Sequence, residues 1–161
     1  MVQPVRLFIE TAYHPAFRYG GWGFVREAGG AVSGVAGGER STTAARIDLM
    51  ALIGALDELP AGAPVAIHSA SPGVIAAARV LAHPPAPGAD DAPSEDLDLW
   101  ARVIKAASGH PLAVKPAPRG PKTPGAFCLA WAEVGQDKAK SHVQGRFSAA
   151  IPKVNLAKLA L

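Results

Sequence analysis

Apolar residues fall into short dense runs up to about residue 40 and into helical spacing after it. Val5 to Thr11 (VRLFIET), which follows Pro4, is rich in β-branched and large apolar side chains, the pattern of a strand buried on both faces, and Glu10 lies near its end. After the loop YHPAFRY, Gly20 to Arg26 reads as a second strand and Ala31 to Gly37 as a third, with a hairpin turn over Glu27 to Gly30. Three consecutive strands with short links predict an antiparallel meander.

Ser41, Thr42 or Thr43 then offers a side-chain oxygen to the unpaired first-turn amides of a helix. Leu49, Leu52, Ile53, Leu56 and Leu59 repeat at helical spacing, and Pro60 with Gly62 ends the element. Asp48 interrupts this pattern on the first turns. Val65 to Ser69 (VAIHS) reads as a strand, and Pro72 is placed to open a second helix running to about Ala82. The segment HPPAPGADDAPS, residues 83 to 94, contains four prolines and reads as a surface loop or linker. Glu95 to Ser108 resumes a helix with Leu97, Trp100, Ala101, Ile104 and Ala107 on one face. Pro111 to Lys115 is a fifth strand, followed by the loop PAPRGPKTPG and a last helix over Phe127 to Lys140. Residues 141 to 161 form a basic tail, set apart from a domain spanning residues 1 to 140. A meander followed by alternating elements predicts an α/β protein with a five-stranded mixed sheet flanked by helices.

Length and composition narrow the classes. The 161 residues suit one domain, and 49% hydrophobic content with a formal charge of +3 is neither the composition of a disordered chain nor strongly basic. The single Cys128 excludes an internal disulfide and reads as a small buried hydrophobe. No run approaches the ~18 apolar residues of a membrane span, and MVQPVRLFIE lacks the pattern of a secretory leader, so a soluble, cytoplasmic protein is expected. His14 and His68 lack ligand spacing, and Trp22, Trp100 and Trp131 fall on apolar faces.

Four stretches carry a family pattern: FIET followed by GGWGFV, TTAARIDLMALIGAL, VAIHSASPGVI, and DLW at 98 to 100. Together they resemble bacterial ribonuclease HI, of the ribonuclease H-like superfamily, over roughly residues 5 to 140. The resemblance implies a ribonuclease H-like fold and hydrolysis of RNA–DNA hybrids by clustered carboxylates holding Mg²⁺ or Mn²⁺. Hard ions need oxygen ligands, and two of them about 4 Å apart assist the attacking water and the leaving oxygen. By this resemblance the catalytic and metal-binding residues are Glu10, Asp48 and Glu133. Register on the last helix leaves Asp137 or Leu129 as alternatives to Glu133. Nucleic acid would be met by Thr43, Arg46, Arg119 and Lys122.

The departures are as informative as the matches. Relative to the family, Glu10 and Asp48 exchange the expected Asp and Glu. Ala70 stands where a third acid is expected. Ala44 and Ala45 replace an Asn pair, the basic handle is replaced by the acidic, Pro-rich HPPAPGADDAPSED, and the loop PAPRGPKTPG has no histidine. The sequence therefore suggests a degenerate member, impaired in cleavage and acting as a nucleic-acid-binding or interaction module. The alternative is an active, divalent-metal-dependent endoribonuclease using Glu10, Asp48 and Glu133.

Overall fold

A computed structural model describes residues 2–161. The meander forms as expected: β1 (Val5–His14), β2 (Tyr19–Ala28) and β3 (Ala31–Arg40) pair antiparallel in sequence. Gly29 and Gly30, at φ 58° and 87°, make the tight turn between β2 and β3, because both positions need the left-handed conformation that side chains resist. The chain then crosses through α1 (Ala44–Leu56) to β4 (Val65–Ser69), which pairs parallel with β1, and through α2 (Pro72–Ala82) and α3 (Leu97–Ala107) to β5 (Leu112–Pro116), parallel to β4.

The last helix, α4, begins at Pro124 and runs to Ser141, capped by the Thr123 hydroxyl. Beyond it the segment read as a basic tail contributes β6 (Arg146–Ala150), antiparallel to β3, and a short α5 (Lys153–Leu156). The sheet thus has six strands rather than five, in the order β5-β4-β1-β2-β3-β6. Only Phe147 of β6 is partly buried, so the strand has none of the apolar alternation that marks the others.

Two cores flank the sheet. On one face Val5, Leu7 and Ile9 of β1 meet Ile47, Leu52 and Leu56 of α1 and Val74 and Val103 of α2 and α3. On the other, Phe8 and Val25 meet Cys128 of α4 and Ile151 and Leu156 of the C-terminal segment. Alternate β1 residues therefore look toward α1 and toward α4, as the period of a strand requires. Glu10 follows Phe8 onto the α4 face, and Thr11 follows Ile9 onto the α1 face.

Candidate active site

Glu10 is 1% exposed, and its carboxylate is enclosed by protein donors. The Ala70 amide donates to Oε2 at 2.7 Å, and the Ser71 hydroxyl donates to Oε1 at 2.9 Å. Arg119, on the loop between β5 and α4, donates from Nε to Oε1 at 2.6 Å and from a terminal nitrogen to Ser71 Oγ at 2.9 Å. Ser69 completes the wall: its hydroxyl donates to the Ile9 carbonyl at 2.6 Å and accepts from the Ser71 amide. Buried charge is tolerated only when paired and hydrogen-bonded, and here one guanidinium and two further donors meet that need.

Asp48 lies on the other side of β1, where the Thr11 hydroxyl donates to Oδ1 at 2.7 Å. Its Oδ2 sits against Gly73 at the start of α2, close enough that a Cβ at residue 73 would overlap it. The nearby cavity of about 210 Å³ is lined by Leu49, Ala76, Ala77, Val80 and Trp100, so the carboxyl is half-buried among apolar groups. Burial pushes its pKa up to about 6 against the opposing Thr11 hydrogen bond. The two carboxylates are linked indirectly, since the Thr11 amide donates to Ser71 Oγ at 3.1 Å and Ser71 in turn binds Glu10.

The last helix adds no acid to this pair. Cys128 is the α4 residue turned to this face of β1: its thiol donates to the Phe8 carbonyl, and burial, with the charge of Glu10, raises its pKa. Glu133 and Asp137 stand on the exposed side of α4, and Leu129 is partly buried. The cause is helix phase. Cys128, Ala132, Gly135 and Ala139 recur at three- and four-residue steps and form the buried seam, which turns Glu133 outward. Among the described residues, no three His, Cys, Asp or Glu side chains come together to hold a metal ion. The residues present do not fit a two-metal centre: one acid is filled by Arg119, one is partly buried and opposite it, Ala70 offers only a backbone amide, and Glu133 is exposed on the outer side of α4.

The residues assigned to nucleic acid have protein partners in three of four cases. Thr43 caps α1 by accepting from the Arg46 amide at 3.2 Å. Arg46 pairs not with Asp48 but with Asp96 at 3.1 Å and Asp98 at 2.9 Å. That pairing holds Asp98 down at about 2 and raises the arginine. Arg119 is bound to Glu10, and Lys122 is exposed with a left-handed φ of 64°. His68 stacks on Phe8, ring centroids 4.7 Å apart, with its pKa lowered by burial and then by Lys115 and Arg6.

Sequence reasoning missed the roles of Ser69, Ser71 and Arg119 around Glu10. The available signal was electrostatic: a strand acid buried without its customary acidic companions needs a cation, and the β5–α4 loop carries Arg119 and Lys122.

The meander, the parallel pair β1 and β4, the crossover through α1, and carboxylates on β1 and α1 together define a ribonuclease H-like fold. The N-terminal RNase H domain of Rv2228c from Mycobacterium tuberculosis, solved as a fusion with maltose-binding protein, is similar to this chain with a TM-score of 0.61 and 19% identity. The match covers 86% of this chain and 96% of that one. At this identity the likeness is one of fold. No family model matches the sequence, and no curated protein matches it.

Proposed function

We propose that this chain is a ribonuclease H-like domain that binds nucleic acid without hydrolysing it. The observation that carries the reading is the saturation of Glu10 by Arg119, Ser71 and the Ala70 amide, which leaves no open carboxylate pair for a hydrated divalent ion. The fold supports nucleic acid as the ligand class, and the formal charge of +3 is compatible with it. Mg²⁺ or Mn²⁺ has no role in this reading.

The test is incubation of an end-labelled RNA–DNA hybrid with Mg²⁺ or Mn²⁺ beside Glu10→Ala and Asp48→Ala proteins, with binding followed by anisotropy. The expected result is no cleavage, together with binding that weakens as salt rises. Cleavage lost in both variants would instead support the divergent endoribonuclease that uses Glu10, Asp48 and Glu133. Absence of binding to hybrid, duplex RNA or DNA at low salt would leave a protein-interaction module.

A second prediction concerns Arg46. Its ion pairs with Asp96 and Asp98 withhold a guanidinium at the start of α1 from any phosphate. Combining Asp96→Asn with Asp98→Asn should tighten hybrid binding and steepen the salt dependence by about one counterion. An unchanged slope in a salt titration would mean that the ligand does not approach this helix end.

A further inference from the structure

We infer that Arg119 is the resident cation of the acidic site, a guanidinium occupying the role that a divalent ion has where such a site is open, so that the domain is built to be metal-independent. This rests on the non-hydrolytic reading of the same site. Three features of the contact support it. First, the two arginine bonds are a fork: Nε donates to Glu10 and a terminal nitrogen to Ser71 Oγ, so a single planar group engages both acceptor oxygens. Those oxygens, of a carboxylate and a hydroxyl, are hard ligands of the kind Mg²⁺ or Mn²⁺ prefers. Second, the partner is the least exposed acid in the protein, at 1%, whereas the arginine side chain is 36% exposed. The guanidinium therefore sits at the rim of the site and covers the carboxylate from the solvent side.

Third, the supporting residues orient Glu10 toward this donor set. Ser69 ties the Ile9 carbonyl and the Ser71 amide together, Ser71 bonds Glu10, and the Ala70 amide holds the second oxygen. The Ala117 amide also donates to the Ser69 carbonyl at 2.8 Å, which anchors the loop two residues before Arg119. Ala70 is thereby coherent with Arg119: a third acid there would add negative charge that one guanidinium could not neutralise. The loop that carries Arg119 leads directly into Thr123, the cap of α4, so the ion pair also fixes the entry of the helix that covers this face.

The experiment is thermal unfolding of the full chain in EDTA and in millimolar MnCl₂ or MgCl₂, for the wild type, Arg119→Ala and Arg119→Lys. The wild type should melt within about 1 °C of the same temperature in all three solutions, because its site already holds a cation. Arg119→Ala should melt about 5 °C lower in EDTA and recover part of that loss with Mn²⁺, which reaches the vacated oxygens. Arg119→Lys should fall between the two, since an ammonium keeps the charge and loses the fork. A wild type stabilised by several degrees on adding Mn²⁺ would overturn the inference. So would an Arg119→Ala protein that melts like the wild type in EDTA, or one indifferent to Mn²⁺. The two readings fail separately: hybrid cleavage by the wild type refutes the non-hydrolytic one, and these melting outcomes refute the assignment of Arg119.

Discussion

Gly135→Ala should lower the melting temperature by about 10 °C, equivalent to about 3 kcal/mol for a domain of this size. The helix α4 lies on the sheet with backbone against backbone. A Cβ at residue 135 would overlap the Gly37 carbonyl oxygen and stand 2.7 Å from its carbon and 3.0 Å from the Gly37 nitrogen. None of these atoms belongs to a flexible side chain, so relief requires the helix or β3 to move as a whole. The same seam repeats along α4, where Gly38 meets Gly135, Gly21 meets Ala132 and Gln136, and Gly23 meets Cys128. Movement at one point therefore disturbs the others, and close-packed interiors resist such shifts. Ordinary Gly→Ala changes in a helix gain about 1 kcal/mol of propensity, which is too little to offset the overlap. Gly120→Ala is the control: its nearest neighbour is a Thr123 methyl at 4.0 Å, and stability should change by less than about 0.5 kcal/mol. Circular-dichroism melts of both variants would decide the matter, and a Gly135→Ala protein within about 2 °C of the wild type would remove the argument for a rigid seam.

This seam also explains what was and was not readable in the sequence. The strands β1 to β4 and the helices α1 and α2 announce themselves through Val, Ile and Leu at their characteristic spacings, through Pro72 and through the Gly29–Gly30 turn. The phase of α4 does not, because its buried positions are Gly125, Cys128, Ala132, Gly135 and Ala139, while the large Phe127 and Trp131 lie on a half-buried flank. A seam of small residues carries little hydrophobic signal, so Glu133 and Asp137 could not be assigned a direction from spacing. β6 was hidden for a related reason: its residues are mostly exposed and it is held by backbone pairing to β3 rather than by burial. Candidate residues Glu10 and Asp48 were legible as acids interrupting apolar runs. Their partners were not, because Arg119 lies 109 positions from Glu10 and Thr11 lies 37 from Asp48, contacts that only the folded sheet creates.

Asp48→Asn should make the protein more stable at pH 7.5 by about 2–3 kcal/mol and leave it unchanged near pH 3.5. The sign follows from the burial of the carboxyl. Its folded pKa is raised from 3.8 to about 6, chiefly because apolar surroundings disfavour the charged form, with the Thr11 hydroxyl acting in the opposite direction. A raised acid favours folding while it is neutral. That contribution is complete below the unfolded value near 3.8 and is lost as pH rises through about 6. The wild type should therefore lose stability between about pH 4 and pH 7 from this group, and the asparagine variant should not, since its amide carries no charge and its oxygen still accepts from Thr11. Urea titrations at the two pH values measure the difference directly. The outcome also bears on why the first helix keeps an acid among Ile47, Leu49 and Leu52. Stabilisation by Asp48→Asn at neutral pH would mean that the charge is carried at a cost to the fold, which is the pattern of a residue retained for contact with a ligand. Destabilisation at pH 7.5 would mean that the ionised carboxylate finds a cation in solution, and the search for a metal would return to Asp48.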